Sequence, residues 1–501
     1  MFIGFIQSSM PRASPTIGGP SKASCKGQDR ACFPDSVTIN TLPDDVLLGI
    51  FDFFVKDWST TASGWQTLAH VCQRWRDIVL ASPRRLNLRL VYKGERPISE
   101  MPYVLSLLPV VIIPRLFDRP YRGPIPYSDL WVNTSAFLES EHRHRICEID
   151  FSDIPDSQMR RLAAAMEQPF PQLTDLRIWA GYFQRFYLSD SFLGGSAPLL
   201  RHLELGRCWL PGIPKLLLSA NHLVTLRVQN VPLSSGYISP QTWVTVLSVM
   251  DRLESFRLEP PYPPLDPGSR PSLTRSVLPA LTELGFEGFH EYLEELLAQI
   301  EVPLLNKLVV TFFKDNFVVP QFHQLINHAE SFNTCDRATV FLDFDSIQFA
   351  ILKETDGSPE LSLKMMFPES GHQFSSLAQL CSPSLLLPST LVQLHIRDTD
   401  LSNPRSYSNG ESTQCLEFLG LFNAIKDLYL TERAGRRVFQ VLEELAEERV
   451  TEVLPALQSI FLPRSRSLKS APKILKRFIA ARQLSGHPVA VYPWQSVSVE
   501  L

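Results

Sequence analysis

The chain has 501 residues, a formal net charge of −4, and 44% hydrophobic and 20% charged side chains. That balance fits a folded chain with at least one large core, and it excludes a global basic surface for nucleic acid or anionic membrane. The 40 prolines, spread along the chain against only 23 glycines, favour many short elements over a few long helices.

Residues 1–38, rich in Ser, Pro and Gly, read as a disordered leader. The apolar start "MFIGFIQSSM" lacks a basic region and is too short for a signal peptide. The first predicted element lies in "INTLPDDVLLGIFDFF", residues 39–54. Pro43 suits the first helical position, and Asp44 and Asp45 complement the helix dipole in the first turn. Val46, Leu47, Ile50, Phe51 and Phe54 then recur at helical spacing on one broad apolar face, a helix of about three turns.

A second helix is expected over residues 64–82, with Leu68, Cys72, Trp75 and Val79 on one face and Val71 and Ile78 beside them; Ser82-Pro83 stops it. A unit of about 45 residues cannot bury Leu47, Ile50, Phe51, Phe54, Trp65 and Trp75 all within itself. Some of that apolar surface should therefore meet a partner, inside the chain or outside it.

"LPDDVLLGIFDFF" followed by "LAHVCQRWRDIV" resembles the F-box, the helical motif that docks substrate receptors onto the Skp-type adaptor of a cullin–RING ubiquitin ligase. The matching positions are Leu42-Pro43, Val46-Leu47, Ile50-Phe51, Val71-Cys72 and Trp75-Arg76; where members often carry a Leu-Trp pair, this chain has Leu86-Asn87. The resemblance implies an F-box-like helical module over residues 39–92. It also implies an adaptor-binding set of Leu42, Pro43, Val46, Leu47, Ile50, Phe51, Phe54, Val71, Cys72 and Trp75, used as a helix in a groove.

Residues 93–143 read as a linker or first irregular repeat. Within them "VLSLLPVVII", residues 104–113, is half the length of a membrane span and contains Pro109, so no membrane partner is expected. From 144 to 501 a degenerate leucine-rich-repeat solenoid is expected. One phrase, apolar-x-x-apolar-x-apolar, recurs as "LTDLRI" (173–178), "LRHLEL" (200–205), "LVTLRV" (223–228), "LESFRL" (253–258) and "LTELGF" (281–286). It returns as "LNKLVV" (305–310), "LVQLHI" (391–396), "IKDLYL" (425–430) and "LQSIFL" (457–462). From Leu173 to Leu305 the copies are 27, 23, 30, 28 and 24 residues apart, close to the spacing of leucine-rich repeats. The last two apolar positions of each phrase face one side of a strand, so parallel stacking makes a core that no single copy could bury. Only "LRHLELGRCWL" carries the full signature, with Cys208 at its Asn/Cys position. Between Leu305 and Leu391 the register is lost, and "ATVFLDF" (338–344) and "ELSLKMMF" (360–367) are expected to fill the gap. "EPPYPPLDPGSRP" (259–271) reads as an inter-repeat loop, and the tail from His487 as a last strand or cap. The fold class is thus α/β: a small helical module, then an irregular repeat solenoid with a parallel sheet.

Catalytic and metal motifs are near misses. His290-Glu291-Tyr292-Leu293-Glu294 lacks the second histidine of a zincin helix and reads as a repeat helix. Asp343-Phe344-Asp345 reads as a strand with one wet face, and His142-Arg143-His144 has no partners to complete a metal set. The run "RSRSLKSAPKILKRF" (464–478) reads as an amphipathic helix with a basic face, and Asn133-Thr134-Ser135 fits a glycosylation acceptor that, without a signal peptide, is not expected to meet the machinery. Cys25, Cys32, Cys72, Cys147, Cys208, Cys335, Cys381 and Cys415 contain no Cys-x-x-Cys, which suits reduced thiols in a cytoplasmic or nuclear protein.

The expected function is non-enzymatic and needs no cofactor. The F-box-like module would dock a Skp-type adaptor, and the repeats would present an unidentified protein target to the ligase. The alternative is a repeat scaffold without a ligase role, its helix pair capping the solenoid.

Overall fold

In the computed structural model the described residues are 39–494, leaving out 58–63, 101–107, 115–126, 155, 182–185, 213–214, 230, 232–236, 261–274, 314–317, 344, 353–358, 368–372, 382–388, 399–409, 445–449 and 464–472. The leader, most of the Pro-rich stretch and the first part of the basic run lie outside them. The chain divides into two compact units, residues 1–60 with 64–86, and residues 61–63 with 87–501.

In the first unit a 3₁₀ turn over Ile39–Thr41 leads into α1 (Asp44–Asp57). The helix expected over 64–82 is in fact two, α2 (Gly64–Val71) and α3 (Gln73–Ala81). Cys72 between them is extended (φ −156°, ψ 171°), and its Sγ accepts the backbone N–H of Trp75 at 3.5 Å. It caps α3 where the periodicity would have continued α2. Arg76 Nε donates to the Ala69 carbonyl at 3.0 Å and satisfies the end of α2. Cysteine is not a usual capping residue, and the apolar spacing runs through the break, so the pattern gives no sign of it. Arg74 joins α3 to the start of α1, donating to the Leu42 carbonyl at 2.7 Å and to Asp44 at 2.5 Å.

Among the described residues the second unit is built on one 16-stranded sheet. Its first strands are β1 (Leu90–Tyr92), β2 (Val110–Ile112), β3 (Ile146–Ile154) and β4 (Asp175–Ala180). Two short ribbons stand apart from the sheet: β5 (Phe186–Tyr187) with β7 (Cys208–Trp209), and β10 (Ser276–Val277) with β12 (Ile300–Glu301). The sheet continues through β6 (His202–Gly206), β8 (Thr225–Gln229), β9 (Ser255–Leu258), β11 (Glu283–Gly288) and β13 (Lys307–Phe312). Then come β14 (Arg337–Leu342), β15 (Ser346–Leu352), β16 (Pro359–Met366), β17 (Gln393–Asp398), β18 (Asp427–Leu430), β19 (Ser459–Pro463) and β20 (Ala490–Trp494). Helices intervene: α4 (Tyr127–Glu139), α5 (Asp156–Ala165), α6 (Lys215–Ser219), α7 (Pro240–Leu247) and α8 (His290–Leu297). Later ones are α9 (Pro320–His328), α10 (Gln373–Leu380), α11 (Gly410–Gly420), α12 (Glu432–Glu444) and α13 (Lys473–Leu484).

All nine phrases become strands, and each strand starts at or just after the third residue of its phrase. The pairing register is the phrase register: Asp175, His202, Thr225, Ser255, Glu283 and Lys307 lie side by side, as do Gln393, Asp427 and Ser459. The second and third apolar positions therefore form continuous rows facing the helices, such as Leu176, Leu203, Leu226, Phe256, Leu284 and Leu308, all buried. The first apolar position is buried just before each strand. One carbonyl per repeat accepts two N–H groups of the next: Thr174 from Arg201 and His202, Arg201 from Val224 and Thr225, Val224 from Glu254 and Ser255. Helix rings close the core over the strands, Trp243 against Phe256 at 6.0 Å and Phe312 against Phe322 at 6.0 Å. The sheet is mostly parallel with helices against it, an α/β arrangement compatible with a leucine-rich-repeat solenoid.

The two stretches expected to fill the gap between Leu305 and Leu391 are strands, β14 and β16, and a further strand, β15, stands between them. The strand order there is β13-β16-β15-β14-β17, with β15 antiparallel to both neighbours. Asp343 and Asp345 belong to the turn after β14, closed by Asp343 N–H donating to the Ser346 carbonyl at 2.9 Å, and not to a strand. So short a turn leaves no room for the crossover that a parallel return requires, so β15 must lie antiparallel beside β14. β16 then takes the free side of β15 and meets β13 in parallel. At the far edge Pro493, within β20, blunts further strand addition.

Candidate functional site

Two surfaces present chemistry to the outside, one on each unit. On the first unit, the residues expected to meet the adaptor separate into two groups. Leu47 and Phe51 are wholly buried, and the Phe51 ring packs on Trp75 at 4.7 Å, so these side chains build the core of the unit. Leu42, Phe54, Cys72 and Trp75 are half-buried. Pro43, Val46, Ile50 and Val71 are exposed, and Phe53, absent from the expected set, is more exposed than Val46 or Ile50, at 70%. Pro43, Val46, Ile50 and Phe53 follow one another at helical spacing and form a continuous apolar stripe. Helical periodicity gives α1 one broad apolar face; only packing shows which part of it is turned inward.

On the second unit the candidate surface is the sheet face opposite the helices. From β3 to β13 it is laced with ion pairs. Arg177 donates Nε to Glu204 at 2.8 Å and lies 3.5 Å from Asp150, Arg89 meets Glu148 at 3.0 Å, and Lys307 meets Glu283 at 3.2 Å. Burial, then the neighbouring Asp175, pushes the Glu148 carboxyl above its usual range. Trp179 lies across Gly206, its ring nitrogen donating to Glu204 at 3.1 Å; a Cβ on Gly206 would fall 2.4 Å from the indole. Gly206 closes the phrase "LRHLELG", and a glycine inside a strand is the signal of such a close approach.

From β14 to β20 the same face turns aromatic. His395, Tyr429, Phe461 and Tyr492 sit in one register across β17 to β20. His395 stacks on Tyr429 at 4.1 Å and 12°, Tyr429 on Phe461 at 4.2 Å and 7°, and Phe461 on Tyr492 at 5.5 Å and 29°. Trp494 flanks this ladder, 5.2 Å from Tyr429 and 5.7 Å from His395, and Arg397 lies 5.8 Å from the Trp494 ring and 5.9 Å from that of Phe341. Burial, and then the charges of Arg337 and Arg397, lowers the His395 pKa to about 3, so its imidazole is neutral at neutral pH. Accessibility rises along the ladder, from buried His395 to Tyr492 at 48%. His395, Tyr429 and Phe461 each occupy the fifth, variable position of a phrase and Tyr492 lies in the tail beyond the last phrase, which is why the repeat pattern is silent about them.

The near misses of the sequence take structural roles. His290 is buried at the start of α8 beside Glu291, while Glu294 accepts the N–H groups of Gln321 and Phe322 at 2.8 and 2.9 Å and so caps the next helix, α9. Thr134 and Ser135 are buried within α4, each donating to the carbonyl four residues earlier. Cys208 is buried with Sγ 3.5 Å from the Gly206 carbonyl, an inward-facing donor at the signature position. Among the described residues no group of three or more His, Cys, Asp or Glu could hold a metal, and no helix is long and apolar enough to cross a membrane.

No protein-family profile matches the chain, and no curated protein does. Among solved structures it is similar to the crystal structure of a TLR13–ssRNA13 complex, at 10% identity and a TM-score of 0.24. That match covers 70% of this chain, which spans 45% of the other.

Proposed function

We propose that the protein is a substrate-recognition subunit of a cullin–RING ubiquitin ligase, with α1 docking a Skp-type adaptor and the repeat sheet holding a protein target. The chain catalyses nothing itself; it raises the effective concentration of the target beside the ligase. The observation that carries the tether is the apolar stripe of Pro43, Val46, Ile50 and Phe53, left exposed on a helix whose adjoining side already fills the core with Leu47 and Phe51. Burying each such side chain is worth roughly 1.5–3 kcal/mol, enough in combination to offset association costs of about 4–15 kcal/mol. The test is co-purification of the full chain with a Skp-type adaptor, wild type beside Val46→Asp/Ile50→Asp. These two positions are outside the core, so the variant keeps its circular dichroism and melting. Retained binding by the wild type with loss in the variant supports the tether. Absence of binding by folded wild type transfers the helices to the scaffold reading, in which the repeats alone act.

A further inference from the structure

We infer that α1 pairs with the α1 of a second copy of this chain, antiparallel across a two-fold axis, and that this pairing masks the exposed stripe until an adaptor takes it. The inference rests on the proposed function only for what the pairing excludes. Shape carries the first step. At about 3.6 residues per turn, the positions of Asp45, Val46, Gly49, Ile50, Phe53 and Lys56 fall on the half of α1 turned away from Leu47 and Phe51, with Gly49 and Phe53 on either side of its midline. Gly49 is exposed, and a Cβ built there meets nothing within 4 Å among the described residues. A glycine inside a helix is destabilising, and no packing within the unit requires this one. It leaves a notch one turn from the Phe53 ring, which is 70% exposed. In a two-fold pair, residue i of one copy meets j of the other and j meets i. With the axis level with residue 51, each copy's Phe53 fills the other's notch at Gly49, beside Val46 and Ile50. A parallel pair would set ring against ring and notch against notch.

Charge carries the second step. The axis midway between Gly49 and Phe53 is also, within half a residue, midway between Asp45 and Lys56, which share one edge of α1. Each copy's Asp45 therefore opposes the other's Lys56. Asp45 has a side chain 92% exposed, and its ion pair with Arg85 at 3.7 Å leaves it open to a second cation. Asp52, on the same edge, comes near its own copy, and that repulsion limits the affinity. Area sets the third step. A buried aromatic side chain covers about 150–250 Å², so Phe53 at 70% exposure brings about 100–175 Å² per copy. With Val46 and Ile50 added, the pair stays well below the roughly 1,200 Å² of a stable interface. The dimer is thus weak and reversible. Because Val46, Ile50 and Phe53 cannot serve a second copy and an adaptor at once, the two are mutually exclusive.

The test is sedimentation velocity of the full chain over a roughly hundred-fold range of concentration. The expected result is a mass that rises from one copy toward two, and that becomes a one-to-one complex when a Skp-type adaptor is added. Gly49→Leu, which fills the notch at an exposed position, and Phe53→Ala should each weaken association at least about ten-fold. Asp45→Lys and Lys56→Asp should weaken it singly, and the two together should restore it, a reversal that general stickiness of the stripe would not show. Circular dichroism establishes that each variant is folded. A single copy at every concentration, association indifferent to both Gly49→Leu and Phe53→Ala, or no recovery in the double swap overturns the inference. So does an adaptor complex that still holds two copies of this chain through α1. An adaptor that fails to bind folded wild type removes the tether alone, because the mass series and the charge swap are read without it.

Discussion

His395 offers a test of the ladder by acid. Its imidazole is buried, stacked on Tyr429, and both ring nitrogens are without hydrogen-bond partners among the described residues. Its pKa is lowered to about 3 in the folded chain, against about 6.5 for an unperturbed histidine. A group whose folded pKa lies below its unfolded one is bound more tightly by protons in the unfolded chain. Stability is therefore full above about pH 6.5 and is lost as pH falls toward 3. At pH 4.5, two units below the unfolded value, the loss is about 2.7 kcal/mol, and it stays near that figure for any folded pKa well below 4. His395→Phe keeps a ring in the stack and removes the titration. Urea unfolding of the two proteins should give a difference that shifts by about 2.7 kcal/mol in the variant's favour between pH 7 and 4.5, because the carboxylates common to both cancel. Histidine-selective NMR adds a direct reading: the resonance that disappears in the variant should not titrate above pH 4.5. Parallel stability profiles, or a His395 resonance titrating near pH 6, would refute the reasoning.

Other expectations rest on single sites. Arg482 is buried and donates to the carbonyls of Val450, Leu454, Pro455 and Leu457 at 3.1 to 3.4 Å, so Arg482→Met should cost about 3 kcal/mol by orphaning them, read as a lower urea midpoint. Gly206→Ala places a methyl group 2.4 Å from the Trp179 ring and should cost about 1–3 kcal/mol, with a shift in tryptophan emission. Glu294→Ala should cost about 1–2 kcal/mol and speed amide exchange at Gln321 and Phe322, which lose their shared acceptor. Burial pushes the Cys381 thiol up to about 12, so iodoacetamide at pH 8 should leave it unmodified until denaturant is added.

Much of the fold was legible because the repeat phrase is a statement about burial. Three apolar positions at fixed spacing determine where a strand begins, which face turns inward and which residue pairs with which, and nine phrases obey that rule. Two more copies of the phrase were not recognised as such: "ICEIDF" at 146–151 and "CDRATV" at 335–340, the second overlapping the strand expected at 338–344, its phrase hidden by Cys335 and Ala338 where leucines would stand. The inverted order of β14 to β16 was not legible, since it depends on a turn too short for a crossover. Neither was the break at Cys72, where a sulfur accepts a hydrogen bond that apolar spacing does not encode.

The surfaces divide in the same way. By itself the sequence determined that α1 is more apolar than its unit needs and that the variable positions of the repeats are free to differ. Only tertiary structure decided that Leu47 and Phe51 go inside while Val46, Ile50 and Phe53 stay out. It alone brought His395, Tyr429, Phe461 and Tyr492, spread over 98 residues of chain, into one row. The physical reason is that periodicity records which side chains avoid water, a local property. Which part of an apolar face is covered, and which distant rings become neighbours, depends on what the rest of the chain places beside them.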